Sequence, residues 1–242
     1  MREALGVIPA RYGAQRFPGK PLAPILGRPM VQWVYEGACR ASRLKRLIVA
    51  TDDERILQAA LGFGAEACMT SPDAASGTER VAEVAARYDL PIVINIQGDE
   101  PLLRGETIDS LVEVLQDEAV PMATLARRET DLSRIADPNV VKLVRDAQGF
   151  ALYFSRSPLP YQALDFFWEH TGIYGYQQEF LQRFRGLPAS RLEQAEKLEQ
   201  LRALEHGFRI KVLETPHSTL SVDTPEDIIK VEARLKDTSD DH

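Results

Sequence analysis

Short apolar runs alternate with amphipathic stretches through the first half of the chain: Leu5 to Pro9, 30–41, Leu47 to Thr51, 53–62, 78–88, Ile92 to Ile96 and 106–117. Runs that stay apolar on consecutive residues belong to strands covered on both faces, and strands separated by helices pair in parallel. The pattern predicts an α/β fold with a mixed, mainly parallel central sheet. Met30, Val31, Val34, Ala38 and Ala41 recur at helical spacing, as do Ile108, Leu111, Val112 and Leu115, which marks the faces these helices bury.

The middle of the chain reads differently. Met122 to Arg128, Val140 to Arg145 and Phe150 to Ser155 are strand-like, and Asp146-Ala147-Gln148-Gly149 suits a hairpin turn between the last two, so the sheet is expected to become mixed here. A Pro-punctuated loop (Ser157 to Pro160) follows, then a strand over Gly172 to Tyr176, helical patterns at 178–186 and 191–206, a strand from Ile210 to Glu214 and a last helix at 225–235. Thr224 is placed to cap that helix with Pro225 at its first position, and the polar tail 236–242 is expected to fray. No repeat, low-complexity tract or linker divides the sequence, so residues 1–242 are read as one domain in which roughly 122–206 form a lobe.

Charge and cysteine usage narrow the function. Lys plus Arg number 29 against 36 Asp plus Glu, a net charge of −7 that repels nucleic-acid backbones. Cys39 and Cys68 form no CxxC pair and are expected as reduced core residues of a cytosolic protein, without structural zinc. The opening MREALGVIPARYG carries no apolar leader core, and no window approaches about 18 apolar residues. A soluble, cytoplasmic protein with neither nucleic acid nor membrane as partner is expected.

The first apolar run ends in a loop, Pro9 to Lys20, that carries Arg11, Arg16 and Lys20. Ligands of open α/β sheets bind past the carboxyl ends of strands, and such a loop can cradle phosphates with its amides while its cations neutralise their charge. It matches neither GxGxxG nor GxxxxGK[ST], since Pro21 follows Lys20. Asp99-Glu100 follows Gly98 at the end of another strand, and Asp223 precedes the last helix; a carboxylate so placed can hold Mg²⁺ against phosphate oxygens. Each feature also has a plain structural reading, as a solvated basic turn, a loop acid or a helix start. Together they suit metal-assisted phosphoryl or nucleotidyl transfer.

Eight segments carry a resemblance. They are Ile8-Pro9-Ala10-Arg11-Tyr12 with Arg16-x-Pro18-Gly19-Lys20-Pro21-Leu22, Ala50-Thr51-Asp52-Asp53, Ser76-Gly77-Thr78-Glu79-Arg80, Gln97-Gly98-Asp99-Glu100-Pro101, Ala151 to Arg156, His170 with Gly172 to Tyr176, Leu192 to Arg202, and Val222 to Asp227. In order, from about residue 5 to 235, they resemble the 3-deoxy-manno-octulosonate (Kdo) cytidylyltransferases. The resemblance implies a nucleotidyltransferase fold of the glycosyltransferase-A type and the reaction of CTP with Kdo to CMP-Kdo and pyrophosphate, for lipopolysaccharide synthesis.

Carried over by position, it places Arg11, Lys20 and Arg16 on the CTP phosphates, Ser76, Thr78 and Arg80 in the cytidine pocket, and Asp99 and Asp223 on magnesium. It further implies that Gln97, Arg156, His170, Tyr174, Glu199 and Gln200 recognise the sugar acid, Arg156 gripping its carboxylate, and that the 122–206 lobe binds sugar and forms a homodimer. Ser76 and Glu79 also stand in capping-box spacing. On one continuous helix over 191–206, Glu193, Glu196 and Gln200 share an arc from which Glu199 is turned away, so periodicity and resemblance favour different residues. The attacking hydroxyl's base is open between metal activation, Asp99 and Asp223.

Three departures stand out: Ala14 where the family has Ser, Glu169 where it has a basic residue, and Ser221 where it has Gly. A carboxylate at 169 facing the sugar would attract an amino-substituted Kdo; facing water on an edge strand, it would leave His170 pointing inward. The alternatives are therefore a cytidylyltransferase for 8-amino-Kdo or an acylneuraminate, and a non-catalytic nucleotide-binding protein.

Overall fold

The computed structural model describes residues 2–13, 17–217 and 220–239; Ala14 and Arg16, singled out above, lie outside the described residues. The chain forms two compact units, Met1–Val112 with Thr219–His242, and Glu113–Ser218.

In the first unit, β1 (Ala4–Ala10) leads through a small hairpin, β2 (Pro24–Ile25) and β3 (Arg28–Pro29), into α1 (Met30–Ala38). Then come β4 (Leu44–Thr51), α2 (Glu54–Gly62), β5 (Glu66–Met69), α3 (Gly77–Ala85), β6 (Ile92–Asn95) and α4 (Gly105–Val114). Here the strands run in the order β6, β1, β4, β5, every pair parallel. Ala4, Leu5, Val7 and Ile8 of β1 have no exposed surface, as continuous apolar strands buried on both faces require. The edge strand β5 escapes the sequence reading because its four residues are only partly buried and begin with a charge. The cysteines differ from expectation: Cys39 is exposed just after α1, and Cys68 is half-buried in β5, both as free thiols.

The second unit contains β7 (Met122–Glu129), β8 (Lys142–Arg145), β9 (Ala151–Ser155), β10 (Phe167–Gln177), α5 (Gln178–Arg185), α6 (Arg191–Glu196), α7 (Leu201–Glu205) and β11 (Ile210–Glu214). β11 joins β7 in parallel, whereas β7, β10, β8 and β9 pair antiparallel in that order, so the mixed character falls where expected. The β8–β9 turn closes with the Gly149 amide on the Asp146 carbonyl at 3.0 Å, and Gly149 takes φ +78°, a conformation that suits glycine.

Two expectations give way. The stretch 191–206 is no single helix: α6 opens with a Ser190–Glu193 capping box and stops at Lys197, whose φ of 56° is left-handed, with the Leu198 amide closing on the Glu193 carbonyl. An arc drawn across that break has no meaning. The last helix, α8 (Pro225–Ser239), belongs to the first unit and runs four residues past the predicted fraying point; residues 240–242 lie outside the described residues. Val231 of α8 packs with Ile25, Met30 and Val222, anchoring the segment that carries Asp223. Among the described residues no helix is long and apolar enough to cross a membrane.

Candidate active site

β1 and β6 are parallel neighbours, so the loops leaving their carboxyl ends converge. They enclose a cavity of about 410 Å³ lined by Arg11, Lys20, Gln97 and Asp99 together with Pro9, Gly77 and Gly98. Glycine is needed at 98: a Cβ there would stand 2.8 Å from the Pro9 carbonyl oxygen. Gly77 is the first residue of α3, so the N-terminus of that helix borders the cavity, a favourable place for phosphate. Ser76 accepts from the Glu79 amide at 3.2 Å, while the Glu79 carboxylate reaches Ala75 instead of closing the box on Ser76. Behind it, the buried Asn95 amide donates to Thr78 Oγ1 at 3.4 Å and its oxygen accepts from Gln97 Nε2 at 3.3 Å.

Lys20 is the hub of the charges. Its Nζ donates to Asp99 Oδ2 at 2.7 Å and to the Val222 carbonyl at 2.8 Å, and lies 3.7 Å from Asp223 Oδ1. The Val222 amide returns a bond to the Asp99 carbonyl at 2.9 Å, which draws the two acids together from distant parts of the chain. Ser221 donates to the buried carboxylate of Glu100, so the hydroxyl that departs from the family pattern has a partner. Tyr12 and Arg55, which sequence reasoning passed over, brace the cationic loop: the Arg55 guanidinium lies 3.3 Å from the Tyr12 ring centre and pairs with Asp53, the cap of α2.

Arg11 is exposed, its Nη1 3.5 Å from the Ala75 carbonyl. Arg16 lies outside the described residues. Arg80 does not line the cavity. It has no exposed surface, and its guanidinium donates to Asp52 at 2.7 Å and to Thr70 Oγ1, tying α3 to the end of β4.

In the second unit, pairing between β10 and β7 slips between Thr171 and Tyr174. Residues four apart on a flat strand stand about 13 Å from one another. This bulge brings the His170 and Tyr174 rings to 5.4 Å between centroids, with Phe154 edge-on to His170 at 5.2 Å. Thr124 Oγ1 donates to the Ile173 carbonyl at 2.8 Å, which uses its only proton; the His170 Nε2 at 3.0 Å must therefore donate to it, leaving Nδ1 as an acceptor. Burial pushes the imidazole down to about 3 and raises the Tyr174 phenol, aided by the Glu199 charge.

A folded-state value below the unfolded one means that the native state takes up this proton later, so its stability is intact above about pH 6.5 and falls as pH drops towards 3. Relative to His170→Asn, the wild type is expected to lose about 2 kcal/mol of unfolding free energy between pH 7 and pH 5, read by urea titration at each pH. Equal slopes for both proteins would show that His170 titrates normally.

Arg156 sends Nε to the Glu196 carbonyl and Nη1 to the Pro138 carbonyl, at 2.9 and 2.8 Å. Gln200 is buried, and its Nε2 has no hydrogen-bond partner among the described residues; Glu199 lies 3.7 Å from Arg202. Glu169 neither faces water nor sits on an edge. β10 is paired on both sides, and the Glu169 carboxylate is held by Arg127 at 2.6 Å and Arg134 at 2.9 Å.

The chain matches the model of a family described as cytidylyltransferase over residues 5–212. It is 51% identical to a 3-deoxy-manno-octulosonate cytidylyltransferase of Syntrophotalea carbinolica, over 95% of this chain and 97% of that protein. A protein of the same name from Syntrophobacter fumaroxidans is 55% identical over 93% of each chain. A solved CMP:2-keto-3-deoxy-manno-octonic acid synthetase in complex with CTP superposes with a TM-score of 0.93 at 43% identity, covering 98% of this chain and 99% of that one.

Proposed function

From the premise that this chain belongs to the 3-deoxy-manno-octulosonate cytidylyltransferase family, a CTP-dependent enzyme acting on Kdo, we propose how its two polar clusters divide the substrates. The cavity of the first unit takes the triphosphate of CTP, and Arg156, His170, Tyr174, Glu199 and Gln200 of the second unit take the sugar acid. The observation that carries this reading is the Lys20 ammonium shared by Asp99 and Asp223 beside the N-terminus of α3.

Lys20 and Arg11 supply positive charge where the phosphates lie, and the α3 amides add directed donors. Ser76 and Thr78 hold the start of α3, and Arg80 keeps that helix against β4. Arg156 presents a planar fork to the sugar carboxylate. Neutral His170 offers Nδ1 as an acceptor for a hydroxyl. The new bond joins the sugar's anomeric oxygen to the α-phosphorus as pyrophosphate departs.

Magnesium fits the donor set: two carboxylates converge on one cation, all donors are oxygens, and Mg²⁺ takes one or two carboxylates with the rest from phosphate and water. Asp99 and Asp223 would hold it, and when bound it would withdraw charge from the phosphates. The same reading makes the enzyme a cytoplasmic homodimer serving lipopolysaccharide synthesis; Leu152, Tyr161 and Leu164, large and exposed on the second unit, suit self-association, which sedimentation equilibrium measures. Nothing favours 8-amino-Kdo, because two guanidinium groups already compensate Glu169.

Calorimetric titration of CTP tests the division. Arg11→Ala and Lys20→Ala are expected to weaken CTP binding in a salt-dependent manner, whereas Arg156→Ala keeps it and raises KM for Kdo. A large loss of CTP affinity in Arg156→Ala would move that residue out of the sugar site.

A further inference from the structure

Resting on the assignment of Arg156 to the sugar acid, we propose that Glu196 is a positioning residue that sets the Arg156 guanidinium for its ligand. Glu196 is the last residue of α6, and the left-handed turn at Lys197 ends the helix just beyond it. The final carbonyls of a helix lack helical partners. That of Glu196 accepts instead from Arg156 Nε at 2.9 Å. Its carboxylate holds the same residue from the other side: Oε2 accepts the Arg156 amide at 2.8 Å, and Oε1 accepts the Ser155 hydroxyl at 2.9 Å. One residue thus fixes both the backbone of Arg156 and the inner edge of its side chain.

The rest of the clamp is backbone. Arg156 Nη1 donates to the Pro138 carbonyl, and the Arg156 carbonyl accepts from Lys142 Nζ. Lys142 is fully buried and spends its other two protons on the carbonyls of Asp137 and Val140, so it has no donor left for a ligand. Among the described residues nothing accepts from Arg156 Nη2, which leaves the outer end of the fork for a carboxylate. A guanidinium held in advance loses less freedom on binding than one on a free stem.

The test uses the full-length enzyme and separate KM values for CTP and Kdo in Arg156→Ala, Glu196→Ala, Glu196→Gln and the Arg156→Ala/Glu196→Ala double variant. Glu196→Ala is expected to raise KM for Kdo about tenfold or more, leaving KM for CTP unchanged. Glu196→Gln, which keeps one acceptor oxygen, is expected to fall between it and the wild type, and carries the test should Glu196→Ala fold poorly. In the double variant the loss should equal that of Arg156→Ala alone, because Glu196 acts only through Arg156. A full additional loss, or equal effects on both substrates, overturns the proposal. So does an unchanged KM for Kdo in both Glu196 variants beside a raised one in Arg156→Ala. An unaffected Arg156→Ala enzyme overturns the sugar-site assignment and this inference with it.

Discussion

Asp99→Asn and Asp223→Asn are each expected to lower turnover by on the order of a hundredfold to a thousandfold, with the fold intact. The amide keeps the shape of the side chain and removes the charge that would hold a metal and that balances Lys20. Stability should hardly change. The Asp99 side chain is 28% exposed and that of Asp223 49%, and ion pairs open to water contribute only about 0 to 1 kcal/mol. Pyrophosphate release measured across a magnesium titration, beside circular dichroism and thermal unfolding, separates the two effects. Near wild-type turnover at limiting magnesium in either variant would remove that acid from the proposed metal site.

Arg80→Met is expected to show the largest loss of stability, about 3 kcal/mol, because it strips a half-buried carboxylate of its fully buried cation. Arg80 has no exposed surface and Asp52 is only 18% exposed, so solvent screens the pair weakly. Much of the cost comes from the uncompensated Asp52, hence Arg80→Met/Asp52→Leu should recover part of it. Urea unfolding without nucleotide decides the matter. A contact made only with CTP would leave that curve where it is in the wild type.

Legibility followed locality. β1, β6 and the second half of β4 were readable because each is buried on both faces and therefore apolar at nearly every position. The first half of β10 was not: Glu169, His170 and Thr171 interrupt its apolar character, and Glu169 is tolerated there only because Arg127 and Arg134 come from elsewhere to neutralise it. The break at Lys197 was also hidden, since no Gly or Pro marks it; it follows from the capping closure and from the Glu196 carbonyl turning to Arg156.

By itself the amino-acid sequence determined the α/β class, the cationic loop past β1, the acid past β6 and the hairpin at Asp146 to Gly149, because each depends on neighbours within a few residues. Tertiary structure alone decided that Asp223 joins Asp99 around one lysine, that Arg80 is a buried brace, that a bulge brings His170 against Tyr174, and that Glu196 grips Arg156. These outcomes depend on which distant groups arrive to satisfy a buried charge or an unpaired carbonyl, and spacing along the chain carries no record of that.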